Sequence, residues 1–425
     1  MPINSLNGLL AALAGAAMLV LAGCSTPCDA PGRLCAPDDS NTSTLPQWYT
    51  RGQPPPPPPP ERPVEPGPAR TEPPSEMQTV PIDAAGAEPR KPITRIGLML
   101  PLRSETLGAP AEALRAGFMA AYERDRDGFT VNLIETGDSP QDTLDAYAAA
   151  QDQNDIIVGP LARSAVGALA ASSLVQKPTI ALNHPESRGR AALPAQMLAI
   201  GLSIEDEARQ VADWAGAEHP GGAAMIVSGS SAWQRRIASS FAARWKQLGR
   251  ESQMLELSDS NGYLSEAALG QLRSQVDGAQ PALVFTALDP AQAGQVRGAV
   301  GAALPFYGTS SVNPGADPGA AIADLDGVRM LDMPWEMQPA HQAVMVYPRW
   351  ASASRTLDMD RLYALGIDAF RVAREITLHP GADVEVDGVT GKLSIGFGKG
   401  PARFERVQPA AVYNGGVFTL VPAGR

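Results

Sequence analysis

The chemistry open to this chain begins with its thiols. All three cysteines of the 425 residues, Cys24, Cys28 and Cys35, lie close to the N-terminus. Cys24 closes the segment Leu21-Ala22-Gly23-Cys24, directly after an apolar run from Leu9 to Val20. A bilayer span needs about 20 apolar residues, so this shorter run suits the middle of an export signal instead. Small residues at 22 and 23 open the bond before Cys24 to a peptidase, and the thiol is then a site for acylation. More than one acyl chain on one residue is the condition for stable membrane anchoring. Residues 2–8 carry no Lys or Arg, a departure from the positive start of such a signal. Cys28 and Cys35 are the thiols left over, and in an oxidising compartment their spacing predicts a local disulfide around Pro31 and Gly32.

Other reactive side chains do not gather into a recognisable centre. His184, His219, His341 and His379 are scattered with no H-E-x-x-H spacing, so no metal site is expected. Ser230 stands outside a G-x-S-x-G frame, and Gly391-Lys392-Leu393-Ser394 lacks the glycine spacing of a phosphate loop and reads as a hairpin turn. With no catalytic constellation, the expectation is a protein without enzymatic activity or cofactor. A formal net charge of -11 and the lack of a basic stripe argue against nucleic acid or anionic lipid as partners. Hydrophobic residues at 44% and charged residues at 19% are a globular balance.

The elements that must carry these residues start late. Residues 36–92 are rich in Pro, Ser, Thr and Glu and include an unbroken proline run from Pro54 to Pro60. Proline fixes φ and removes a donor, so the run predicts a polyproline II rod rising about 3.1 Å per residue, within a solvated tether spanning 24–92. From Ile93 to the end, short apolar runs alternate with amphipathic stretches, the rhythm of an α/β fold with parallel strands and crossover helices. Strands are expected at Ile96–Leu100, Val131–Ile134, Ile156–Val158, Thr179–Leu182, Ala224–Val227, Met254–Leu257, Leu283–Thr286, Leu304–Gly308 and Gly327–Leu331. Between them, apolar faces such as Leu114, Phe118, Ala121 and Tyr122, or Trp233, Ile237, Phe241, Trp245 and Leu248, predict helices. A capping arrangement at Ser203-Ile204-Glu205-Asp206 opens another, where the chain crosses to a second lobe. Leu362, Leu365, Ala369, Val372 and Ile376 space as a long buried helix, and Asn414-Gly415-Gly416 marks a late hairpin. The expected layout is a first lobe of 93–203 and 334–380 and a second of 204–333 and 381–425.

In open α/β sheets ligands lie beyond the carboxyl ends of the strands. That rule nominates Arg103, Ser104, Arg163, Ser164, Asn183 and His184 in the first lobe, and Ser228, Ser230, Ser231, Trp233 and Asp289 in the second. Ser164 at a helix start could offer amides to a carboxylate or simply cap the helix, and Asp289 before Pro290 is either a helix cap or an anchor for an amine. Arg103 is either an anion anchor or a solvated arginine.

Two lobes with interleaved segments resemble the type I periplasmic binding-protein fold. Narrower stretches are similar to the LppC/LpoA-type lipoproteins that activate penicillin-binding proteins: Ile96-Gly97-Leu98-Met99-Leu100-Pro101-Leu102, Ile157-Val158-Gly159-Pro160-Leu161, Ala181-Leu182-Asn183, Gly201-Leu202-Ser203-Ile204-Glu205-Asp206-Glu207-Ala208, Asp332-Met333-Pro334-Trp335, Tyr363-Ala364-Leu365-Gly366-Ile367-Asp368-Ala369 and Gly388-Val389-Thr390-Gly391-Lys392-Leu393-Ser394. Leu21–Cys24 resembles the bacterial lipobox, which makes residues 1–23 a signal peptide and Cys24 the acylated residue. Ser25 rather than Asp after it implies, by the same resemblance, the outer membrane. The resemblance further implies a non-catalytic partner of a class A penicillin-binding protein. Family members known as activators carry a helical-repeat domain where this chain has its tether, so activation itself is an expectation to be tested. A solute-binding module serving a transporter or sensor is the rival reading.

Overall fold

The computed structural model describes residues 93–185, 193–315, 323–352 and 355–422, all within one compact unit, Asp83–Arg425. The segments expected to be a signal peptide and a tether, with Cys24, Cys28 and Cys35, lie outside the described residues.

The first lobe is built by β1 (Thr94–Leu100), α1 (Gly108–Arg124), β2 (Phe129–Glu135), α2 (Pro140–Ala150), β3 (Ile156–Val158), α3 (Arg163–Ala171), β4 (Thr179–Ala181) and β5 (Met197–Ala199). Its sheet has the order β2-β1-β3-β4-β5, with every pairing parallel. In β1, Ile96, Leu98 and Leu100 point into one core and Met99 into the core on the other face, which is why the strand is apolar throughout.

The second lobe follows with α4 (Ile204–Glu218), β6 (Ala224–Ser228), α5 (Ala232–Gln247), β7 (Ser252–Glu256), the short hairpin β8 (Asp259–Ser260) and β9 (Tyr263–Leu264), α6 (Glu266–Ala279), β10 (Leu283–Ala287), α7 (Pro290–Val300), β11 (Phe306–Gly308) and β12 (Val328–Leu331). Again the two faces separate by residue parity. Ile226 and Phe285 join α4 and α5 on one side, while Met225, Val227 and Val284 join α6 and α7 on the other. Gly249, in the left-handed region at φ +74°, ends the α5 turn.

The chain then returns to the first lobe through α8 (Pro334–Met337), α9 (Gln342–Met345) and α10 (Leu357–Leu378). Next come β13 (Asp383–Asp387), β14 (Lys392–Gly396) and β15 (Arg403–Val407), an antiparallel sheet of their own. Finally β16 (Ala410–Asn414) and β17 (Val417–Val421) pair antiparallel at the edge of the second sheet, giving the order β17-β16-β12-β11-β10-β6-β7. One part of the expected layout is corrected. Val386, Leu393, Ile395 and Phe397 bury into the core of α1 and α10, so residues 381–407 sit with the first lobe. Only the last hairpin belongs to the second. The chain therefore crosses between lobes three times, near 200–204, at 332–333 and at 407–410.

Candidate functional site

The three crossings converge on a buried polar cluster. Arg361, in the first turns of α10, reaches across with Nη2 to the backbone oxygen of Ser310 and to Asp332 Oδ2, both at 2.8 Å. Ser310 lies in a single helical turn of the second lobe, Ser310–Val312, and Asp332 lies on the second crossing. Asp332 is fully buried, and also accepts from Asn313 Nδ2 at 2.7 Å and the Met333 amide at 2.8 Å. Glu207, just past the first crossing, accepts from the Ser310 amide at 3.0 Å and from Gln408 Nε2 on the third crossing at 3.3 Å.

The electrostatics follow from burial. Glu207's carboxyl is raised from its ordinary value by loss of solvent and then by the nearby Asp332 charge. Glu336 on α8 is pushed up to about 8 by burial, again reinforced by Asp332, and its Oε1 has no hydrogen-bond partner. For Arg361, burial alone would lower the pKa, but Asp332 and its hydrogen bond hold the guanidinium above the ordinary range.

A second clamp secures the first and third crossings. Arg406 of β15 donates to the oxygens of Ile200 at 2.7 Å, Gly201 at 2.9 Å and Thr390 Oγ1 at 3.0 Å. Gln210 of α4 bonds both sides of the third crossing, donating to the Arg406 oxygen at 2.9 Å and accepting from the Gln408 amide at 3.0 Å. Asp368 of α10 is fully buried and holds the loop before β14, accepting from the Val389 and Thr390 amides at 3.0 and 2.8 Å and from Thr390 Oγ1 at 2.6 Å.

Between the lobes lies a cavity of about 570 Å³, lined by Trp233, Asp289, Ser311 and Asn313 on one side and Thr356, Asp358 and Arg361 on the other. A smaller one of about 260 Å³ is lined by His184, Gly201, Ser203, Glu207, Arg406 and Gln408. His184 is pushed down by burial and then by the charges of Arg406 and Arg163.

The residues nominated from the strand-end rule do not converge. Trp233 and Asp289 line the larger cavity, while Asp289 also caps α7 by accepting from the Gln292 amide at 2.9 Å. His184 lines the smaller one. Arg103 is engaged by Asp142 at 2.8 Å and the Glu135 oxygen. Ser104 is buried in a turn, accepting from the Leu107 amide at 2.8 Å and donating to Asp138. Asn183 bonds its own loop and Leu161. Arg163 opens α3 with its Nε buried and unpartnered. Ser164 is exposed and is not the cap, because that position is Ala162. Ser228 is buried at the end of β6, Ser230 bonds Asp259, and Ser231 forms a full capping box with Gln234 at the start of α5. The rule missed Glu207, Asp332, Arg361 and Arg406, yet Glu207, Asp332 and Asp368 each fall within a stretch that carried the family resemblance. Among the described residues no group of three or more His, Cys, Asp or Glu is placed to hold a metal ion, and no helix is long and apolar enough to cross a membrane.

Two α/β lobes joined by three crossings define a type I periplasmic binding-protein-like body. It superposes on the LpoA (YraM) C-domain from Haemophilus influenzae, described as a regulator of PBP1A, with TM-score 0.60 and 22% identity over 77% of this chain and 100% of that one. A putative branched-chain amino acid ABC transporter from Chromobacterium violaceum ATCC 12472 gives TM-score 0.61 and 36% identity over 75% of this chain and 99% of that one. The family model for LppC putative lipoprotein matches residues 86–403, and the chain belongs to that family. Among its curated relatives, the penicillin-binding protein activator LpoA of Glaesserella parasuis serovar 5 (strain SH0165) is 25% identical over 314 residues, 71% of this chain and 51% of that protein. The protein of the same name from Haemophilus ducreyi is 25% identical over 323 residues, 72% of this chain and 51% of that protein. The chain spans about half the length of the curated relatives it matches.

Proposed function

We propose that this chain regulates peptidoglycan synthesis by binding a class A penicillin-binding protein and raising its activity, without covalent chemistry of its own. The observation that carries the reading is the family match over residues 86–403, in a family whose curated relatives bear the name of penicillin-binding protein activators. In this proposal an acylated Cys24 holds the chain at the periplasmic face of the outer membrane, and residues 24–92 give the body its reach. Activation then requires that the body bind the synthase's active conformation more tightly than its resting one. Tethering raises the local concentration of that surface. The test is a pull-down and an in vitro glycan-polymerisation assay with the class A penicillin-binding proteins of the same cell. Association with a raised rate is expected, and neither association nor a rate change would refute the proposal.

The rival, a solute receptor, draws on the 36% identical structure described as a branched-chain amino acid ABC transporter and on the cavity between the lobes. Its weakness is electrostatic. An amino-acid ligand brings a carboxylate, but the guanidinium on the cavity wall already binds Asp332 and Asp358, and Asp289 lines the same cavity. A rise in melting temperature with millimolar leucine, isoleucine or valine would favour this rival.

A further inference from the structure

We propose that Arg361 is a built-in occupant of the interlobe cleft, a side chain that sits where a closing solute would act and latches the two lobes in one relative orientation. This goes beyond the function proposed above, and the isolated protein tests it without a synthase, so each can fail alone.

The geometry is that of a latch. The side chain starts on α10 in the first lobe, is only 12% exposed, and its Nη2 donates directly to a backbone oxygen of the second lobe. The same nitrogen engages Asp332 on the second crossing, while Asp332 is held from the second lobe by Asn313. Ser310 is gripped from both ends, its oxygen by Arg361 and its amide by Glu207, and Glu207 is in turn bonded from the third crossing by Gln408. One guanidinium thus joins a network that touches all three crossings.

Charge balance supports the same assignment. Glu207 and Asp332 are buried at 6% and 0% exposure, and Glu336 stands close enough to feel Asp332. Two buried carboxylates without a cation would be strongly unfavourable, and Arg361 supplies the cation from within the chain. A solute that displaced it would have to bring an equivalent planar cation, with donors for both Asp332 and the Ser310 oxygen. The cleft therefore does not need a ligand to hold its lobes together. Removing the side chain should instead create a site for free guanidinium.

Hydrogen exchange of the full-length protein, read by mass spectrometry, tests the latch. In Arg361→Ala, peptides covering 200–210, 308–315 and 331–338 should exchange about 10-fold faster or more, as loss of charge-assisted hydrogen bonds predicts. Peptides from the interior of the second lobe, such as β10, should not change. Addition of 10 mM guanidinium chloride should restore protection at the crossings in the variant, with 10 mM sodium chloride giving no restoration and wild type showing no response to either. Unchanged exchange in the variant, or faster exchange that guanidinium fails to reverse, overturns the proposal. If Arg361→Ala does not fold, Arg361→Lys decides: its ammonium keeps the charge but not the planar fork, so faster exchange at the crossings is expected and wild-type protection overturns the latch. A rise in wild-type melting temperature with a branched-chain amino acid would overturn the built-in occupant as well.

Discussion

Whether α10 can present Arg361 depends on how closely that helix lies against α1, and two glycines set the distance. A Cβ added at Gly117 of α1 would stand 1.9 Å from the Tyr363 backbone oxygen, and one added at Gly366 of α10 would stand 2.0 Å from the Leu114 backbone oxygen. Ordinary contact begins at 3.4 Å, so either alanine falls short by at least 1.4 Å. Both obstructing atoms are backbone, and neither can rotate away. The helices must part, which loosens Leu114, Phe118 and Phe370, whose two rings meet edge to face at 5.4 Å. Overpacking of this kind costs about 3 kcal/mol at the upper end of its usual range. Replacing a helical glycine by alanine returns about 1 kcal/mol of backbone entropy. The expected net loss for Gly117→Ala or Gly366→Ala is about 2 kcal/mol.

The same substitution has the opposite sign in α6. Nothing lies within 4 Å of a Cβ at Gly270, so Gly270→Ala should gain about 0.5–1 kcal/mol. Urea unfolding followed by circular dichroism would then separate the variants by about 3 kcal/mol, roughly a 100-fold difference in folding constant. Because the first alanine already separates the helices, the double variant Gly117→Ala with Gly366→Ala should lose less than the sum of the two. Wild-type stability in either α1 or α10 variant, or an equal loss at Gly270, would refute the close approach.

Three further outcomes follow from the clamps and the anchor. Arg406→Met leaves the Ile200 and Gly201 oxygens and Thr390 Oγ1 without their donor, with Arg371 still paired to Asp368, and should cost about 3 kcal/mol in the same urea assay. Burial holds the Glu336 proton up to about 8 in the folded state against an ordinary 4.5 when unfolded, so its contribution to stability is complete below 4.5, falls as pH rises and is gone above about 8. Glu336→Gln should remove that decline, making the variant progressively more stable than wild type between about pH 5 and pH 8, by at most about 1.4 kcal/mol per pH unit; parallel stability curves would count against it. Cys24→Ser should shift the protein from the membrane to the soluble fraction on cell fractionation, and unchanged membrane association would exclude acylation as the anchor.

Much of the α/β frame was legible because its central strands are buried on both faces. β1, β6 and β10 are apolar at almost every position and so stand out, and α10 shows its core face over six turns. Elements escaped where burial was one-sided or brief. β13 and β15 alternate charged and half-buried residues, as in Asp383-Val384-Glu385-Val386 and Arg403-Phe404-Glu405-Arg406, and local pattern does not say which lobe covers them. The contacts that place them, Val386 and Leu393 with α1 and α10, span far more sequence than any local rule reads. Ser164 misled because serine before an apolar stretch is a common cap, whereas here Arg163 already belongs to the helix and Ala162 occupies the cap.

The polar cluster was hidden for a different reason. Glu207, Ser310, Asp332, Arg361 and Gln408 come from five separate segments, and singly each has the look of an ordinary surface residue. The strand-end rule does identify one wall of the cleft, with Trp233 and Asp289, but it assumes that the loops of both lobes face each other across it. In the first lobe the loop after β1 instead bonds locally, Arg103 to Asp142 and Ser104 to Asp138. The opposing wall is supplied instead by the N-terminal turns of α10, a helix that enters the lobe only after the second crossing. A chain that interleaves its lobes in this way can bring Arg361 to Ser310 and Asp332, and that juxtaposition arises from the order of the crossings rather than from any motif.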